Sequence, residues 1–334
     1  GDYDTAAAMY SSLMGAELPQ KWKSGAFGRA LESFIRQGRM DSAIALADGA
    51  YSREGVPSAD IWRAEWEIAN AYRDRGEDAK ASARIDRILA GPVSASSDPA
   101  LRARLLWLQA RLAENSGDYA RALTLSDDLI VDVGSRRLDL PKETAEVILS
   151  NTMFMRARLL SQMGRLDGPD GAFEAYAALR KAYPQSDAAQ LSYLYEARNF
   201  AARGVFTQAQ QHCKTLADNF PNGKYADLAL LEAAMYSQKL GLDTDYREAM
   251  QLLERLVKNY PDSDKVFYAK LASAQILRQM RDFANAAAVY RNILEEFPRH
   301  PRISAAQIGL GDCLLADSGQ ESDAASVFER IYSS

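Results

Sequence analysis

Gly117-Asp118-Tyr119-Ala120-Arg121-Ala122 spells a corner between two helices in six residues. A glycine after a helical stretch can take the left-handed conformation that ends it. The aspartate beyond it can accept from the free backbone amides of the next helix. The aromatic covers the corner, and the alanine falls where two helices cross and a larger side chain would hold them apart. The phrase opens the chain as Gly1-Asp2-Tyr3-Asp4-Thr5-Ala6 and returns, loosened, over 38–43, 76–81, 204–209 and 281–286. An alanine follows the turn in every copy: Ala6, Ala43, Ala81, Ala122, Ala172, Ala209, Ala249, Ala286 and Ala324. These nine are expected to pack between helices.

Outward from these corners the chain reads as helix throughout. Apolar residues recur at three-to-four spacing, as in Leu101, Leu105, Leu108 and Leu112, and no strand-like alternation appears. Turns at Gly38, Gly76, Gly117, Gly164, Gly204, Gly241, Arg281 and Ser318 lie 37 to 47 residues apart. Self-similarity at that period marks stacked helix pairs. The expected fold is all-α: a right-handed α-solenoid of eight antiparallel helix pairs plus one unpaired N-terminal helix. One continuous array over 1–334 is expected, with 1–16 the orphan second helix of a truncated repeat, 19–134 the first three repeats and 142–332 the last five. A bend is allowed near 134–141. Tyr183-Pro184, Phe220-Pro221, Tyr260-Pro261 and Phe297-Pro298 each close a second helix, because proline cannot continue it and disfavours helical geometry in the residue before.

Composition narrows the function. The 334 residues are 47% hydrophobic and 25% charged, with a net charge of −5 and a pI near 5.3, which argues against a nucleic-acid partner. No apolar run approaches the ~18 residues that span a bilayer. The chain opens at a turn without an initiator methionine, so a piece excised from a longer protein is expected. Cys213 and Cys313, about three repeats apart, read as small core residues rather than a disulfide. His212 and His300 lie far apart in the array, no metal-ligand spacing or phosphate loop occurs, and no catalytic residue, metal or cofactor is expected.

These residues resemble the tetratricopeptide repeat, with its turn glycine, small residues in both helices and late proline. Aligned on the turns, the first helices place Ala69, Ala110, Ala157, Ala197, Ala234, Ala274 and Gly311 at the small position. Leu31 breaks the rule, which allows a splayed first pair. The Phe/Tyr-Pro-x-Ser ending before an Ala-rich helix is similar to bacterial periplasmic repeat proteins of envelope assembly and cell-division coordination. The resemblance implies a protein-binding scaffold in a bacterial envelope. A helical stalk of a larger cell-wall enzyme, or part of a regulator, is the alternative.

In that family the first helices line the groove. The register then gives an inner face of Arg63, Trp66, Asn70, Arg73, Arg104, Trp107, Arg111, Phe154, Arg158 and Arg198. Arginine grips carboxylates with two parallel hydrogen bonds, and Arg and Trp dominate binding hot spots. The strip suits an acidic or C-terminal peptide segment. Alternatively, Trp66, Trp107 and Phe154 pack between repeats while the arginines pair with Glu65, Glu67 and Glu114. Tyr3, Met9, Tyr10 and Leu13 at one end, and Phe328, Ile331 and Tyr332 at the other, are expected to be bare. Self-association through the ends is therefore allowed.

Overall fold

A computed structural model describes residues 3–15, 17–52, 56–91, 98–316 and 320–332. The described residues form seventeen helices and no strand. They divide into two compact units, residues 1–183 and 184–334. The division falls at the first of the aromatic-proline endings, Tyr183-Pro184.

The first unit holds α1 (Tyr3–Gly15), α2 (Gln20–Arg36), α3 (Met40–Ser52), α4 (Ser58–Asp74), α5 (Asp78–Ala90), α6 (Pro99–Asn115), α7 (Tyr119–Gly134), α8 (Lys142–Gln162) and α9 (Ala172–Ala182). The second holds α10 (Asp187–Ala202), α11 (Phe206–Asn219), α12 (Ala226–Leu240), α13 (Asp243–Asn259), α14 (Val266–Gln279), α15 (Phe283–Glu296), α16 (Ile303–Ala316) and α17 (Glu321–Tyr332). In each unit the helices stack in chain order as antiparallel pairs, the arrangement of an α-solenoid.

First and second helices of a pair have different surroundings. α6 packs on α5 and α7, and also on the first helices α4 and α8, whereas among the described helices α7 packs mainly on α6 and α8. A helix with four neighbours must be apolar on most faces. α6 accordingly buries Leu101, Ala103, Leu105, Leu108, Ala110, Leu112 and Ala113. A helix with fewer neighbours needs one apolar stripe, and α13 buries only Ala249, Leu252, Leu253 and Leu256.

The corner at 117–122 shows the local chemistry. Gly117 is left-handed at φ 79°. The amide of Asp118 donates back to the Ala113 carbonyl at 2.9 Å, and the Asp118 carboxylate accepts from the Arg121 amide at 3.1 Å. Ala122 is fully buried, as are Ala43, Ala81, Ala172, Ala209, Ala249, Ala286 and Ala324. Ala6 departs from this register. It is half-buried, and its neighbour Ala7 is the buried one. α1 packs on α2 alone among the described helices, so a single partner sets its crossing, one residue further on. Leu31 is buried, and contact between α2 and α3 is sparser than within the other pairs.

Arg281 takes the left-handed place at φ 63° that Gly204 takes at φ 75°, within the same pattern of backbone bonds. An L-residue there carries roughly 1–2 kcal/mol of strain, partly offset by the unfolded-state freedom a glycine brings. Arg281→Gly is therefore expected to leave stability within about 0.5 kcal/mol or raise it, and Gly204→Ala to cost about 1 kcal/mol. Thermal melts of the two variants should shift unequally. Equal losses would show that the Arg281 side chain, not its backbone, matters.

The chain ends differ from expectation at three residues: Tyr3 and Tyr10 on α1, and Phe328 on α17, are half-buried rather than bare. Met9 and Leu13 are exposed at 62% and 41%. Phe328, expected to be bare, is half-buried, because Gly311 of α16 leaves room for its ring. The side chains of Ile331 and Tyr332 lie outside the described residues.

Candidate functional site

The expected groove residues fall in both units. Arg198 lies in the second unit, where its guanidinium bonds both carboxylate oxygens of Glu232. The other nine lie in the first unit, and most of their charge is already matched. Arg73 pairs with Asp74 at 2.8 Å. Arg63 faces Asp60 at 3.9 Å and lines a polar pocket between α2 and α4, of about 360 Å³, with Arg29, Glu32, Asp60 and Glu67. Burial, and then the nearby Glu32 carboxylate, push the Glu67 carboxyl above its ordinary value.

Arg158 and Arg111 both approach Glu114, a buried carboxylate that Arg158 reaches from the next repeat. Glu65, considered as a partner for the strip, is held instead by Arg84 and Tyr51. Phe154 is buried, its ring 6.2 Å from that of Tyr176. Asn70 is half-buried and donates to the Trp66 carbonyl at 2.7 Å.

What remains is a smaller, more apolar site. Trp66 of α4, Arg104 and Trp107 of α6, and Val147, Ile148 and Asn151 of α8 line one pocket of about 240 Å³. Three first helices meet here because their small residues Ala69, Ala110 and Ala157, all fully buried, let the backbones come close. Arg111 lies over the Trp107 ring at 5.5 Å and fixes the indole. The Trp107 Nε1–H is buried and has no acceptor among the described residues. Val147 is 60% exposed at the mouth. Arg104 is exposed and, alone among the groove arginines, has no ion-pair partner among the described residues. The pocket therefore offers two indole rings, two aliphatic side chains and an uncommitted cation, beside a buried indole N–H that has no acceptor among the described residues. Val147, Ile148 and Asn151 were not anticipated. Their signal was faint: they precede the aligned Phe154 by one and two helical turns.

The histidines and cysteines sit in packing roles. The His300 ring stacks on Phe267 at 3.5 Å, and its Nδ1 accepts from the Arg302 amide. His212 stacks on Phe200 with its Nδ1 3.6 Å from the Glu196 carboxylate. Cys213 and Cys313 are both buried and unbridged, and burial pushes both thiols up. No group of three His, Cys, Asp or Glu able to hold a metal occurs among the described residues. None of the described helices is long and apolar enough to cross a membrane.

Comparison with known families bears on the second unit. Residues 228–263 and residues 271–334 each match a model of the tetratricopeptide repeat. The likeness covers 100 of the 334 residues, all in the second unit. Within them Ala234, Ala249, Ala274, Ala286 and Ala324 are buried to within 1%. Several solved structures share the architecture. The apo form of RapI is 10% identical, with a TM-score of 0.58 over 94% of this chain and 97% of its own. The C-terminal part of a TPR repeat-containing protein from Cytophaga hutchinsonii is 13% identical, with a TM-score of 0.54 over 83% of this chain and 98% of its own. A signal transduction ATPase with a tetratricopeptide repeat sensor, from Pyrococcus horikoshii, gives 0.55 at 11% identity over 99% of this chain and 52% of its own. At such identities the likeness is one of fold. No curated protein matches the chain significantly by sequence.

Proposed function

We propose that the chain is a non-catalytic scaffold that holds a segment of a partner protein in the pocket walled by α4, α6 and α8. The carrying observation is the pairing of an idle cation, Arg104, with an apolar pocket whose Trp107 N–H has no acceptor. Burying such a donor without a partner costs about 1–3 kcal/mol, which a ligand acceptor would return if the indole turns its N–H toward the pocket. The matching ligand is a large apolar side chain next to a carboxylate: an acidic or C-terminal peptide segment. The work is then done by shape and charge, with no bond made or broken.

Arg104 is the position that separates binding from folding. Arg104→Glu removes no partner inside the protein, so stability should change by no more than about 0.5 kcal/mol. Capture of protein partners by the full chain should fall about tenfold or more. Arg158→Ala serves as the contrast. It strips the buried Glu114 of its closest cation and should lower stability by about 3 kcal/mol. If Arg104→Glu retrieves the same partners at the same yield as the wild type, the pocket is not the binding site.

The setting we infer is the bacterial envelope. Support comes from the aromatic-proline helix endings and the Ala-rich helices that follow them, in the style of periplasmic repeat proteins. Fractionation of cells expressing the native gene should place the protein with the periplasm or outer membrane. Recovery in the cytoplasm would remove this part of the reading.

A further inference from the structure

Three seams between neighbouring second helices, α3–α5, α5–α7 and α11–α13, are stitched by charges in one register. Counted from the buried alanine of each, the residue five places on reaches to the residue one before, or six after, the alanine of the next second helix. Asp48 on α3 pairs with Arg87 on α5 at 2.5 Å. Asp86 on α5 pairs with Arg121 on α7 at 3.5 Å. Lys214 on α11 pairs with Glu248 on α13 at 2.5 Å. Asp218, nine places on, adds a 2.6 Å pair with Arg255 of α13. The register is not used at every seam: at α7–α9 Asp127 pairs with Arg156 of the first helix α8 instead, and at α13–α15 no charge on the next second helix answers it. The residues on α13 are Glu254 and Lys258, but their counterparts on α15 are Asn285 and Asn292. Glu254 and Lys258 are exposed and have no partner among the described residues.

The unstitched seam is also open. Between α13 and α15, above α14, lies a groove of about 630 Å³. Met250, Leu253 and Val257 form one wall at helical spacing, Ala288 and Val289 the other, and Glu254 and Lys258 stand on the rim. From these facts we infer that the α13–α15 groove is a second binding face, distinct from the Trp107 pocket, whose ligand is an amphipathic helix of a partner protein. Its apolar ridge fills the groove, and a basic and an acidic residue one turn apart answer Glu254 and Lys258.

The helical form follows from the walls. All three are helix interiors whose backbone groups are already bonded within the helix. An extended peptide would find no backbone donors or acceptors there, whereas a helix brings its own bonds satisfied. Glu254 and Lys258 lie one turn apart on α13, about 5–6 Å, which is the spacing at which a second helix presents successive side chains.

The test uses the full chain and two synthetic amphipathic helical peptides. They are identical except for the order of one lysine and one glutamate a turn apart on the groove-facing edge. Fluorescence anisotropy should show saturable binding with an about tenfold preference for one order. The exchange Glu254→Lys with Lys258→Glu should reverse that preference. Ala288→Trp, at an exposed position, should fill the groove and weaken binding about tenfold or more while the melting temperature holds. The inference falls if neither peptide saturates, if the preference survives the exchange, or if Ala288→Trp binds like the wild type. A concentration-dependent dimer abolished by Ala288→Trp would make the occupant a second copy of the chain and would likewise overturn it. Loss of partner capture in Arg104→Glu leaves this result untouched, so the two sites are judged separately.

Discussion

Replacing Arg84 with methionine is expected to cost about 3–5 kcal/mol, the penalty for stranding a buried charge. Arg84 links three helices. Its Nε and one terminal nitrogen donate to the two Glu65 oxygens of α4 at 2.7 Å each, and the other nitrogen donates to Asp48 of α3 at 2.7 Å. Tyr51 donates to the same carboxylate at 2.8 Å. Glu65 has no solvent exposure in the folded chain, so its charge is met by the guanidinium and the Tyr51 hydroxyl rather than by solvent. Burial already pushes the Glu65 carboxyl up, against the pull of Arg84 and Tyr51. Without Arg84 that rise grows. A carboxyl whose folded pKa lies above its unfolded value binds protons better in the native state, so stability gains as pH falls. Arg84→Met should therefore regain part of its deficit between pH 7 and pH 5. The check is thermal melting across that range, with amide exchange locating the loss in α3–α5. The double variant Glu65→Leu with Arg84→Met removes both charges and should lie closer to wild type than the single one. A single variant that melts like wild type at pH 7 would show that water reaches Glu65.

Gly309→Ala is expected to destabilise the second unit by about 1–3 kcal/mol. A β-carbon at Gly309 would stand 2.3 Å from the Tyr290 ring, and that ring is fully buried with nowhere to go. Burial also pushes the Tyr290 hydroxyl up to about 12. Gly311→Ala meets the Phe328 ring at 2.4 Å, but Phe328 is half-buried on the last helix and can shift outward. The losses should therefore rank Gly309→Ala above Gly311→Ala. Restoring space with Gly309→Ala plus Tyr290→Leu should recover part of the first loss. Chemical unfolding followed by circular dichroism gives the ranking, and the reverse order would place the rigid contact at Phe328.

The helices and their pairing were legible because the causes are local. A left-handed corner, a capping carboxylate and a methyl-sized residue at a crossing are each written within six residues, and Gly117–Ala122 contains them all. Ala6 shows the limit of such reading, because its neighbours in space, not its phrase, decide which residue of α1 meets α2. The candidate site was less legible because charge pairing is not local. Arg158 finds Glu114 from 44 residues away, and Arg84 finds Asp48 from 36. A helix-by-helix projection therefore saw a basic strip, of whose arginines only Arg104 has no ion-pair partner among the described residues. Trp62, the largest fully buried side chain, went unremarked for a similar reason. Nothing near it in sequence separates it from Trp66, four residues on, which lines the pocket.

The aromatic-proline endings carry a consequence for how this chain can grow. Tyr183, Phe220, Tyr260 and Phe297 leave their helices at nearly the same backbone angles, with φ from −124° to −133° and ψ from 49° to 60°. The prolines after them stand 37, 40 and 37 residues apart. Each is thus an equivalent splice point, where the exit direction is fixed before the next helix begins. Tandem duplication or deletion between two of these prolines changes the length of the array by a whole brick and leaves every remaining joint with the geometry it had.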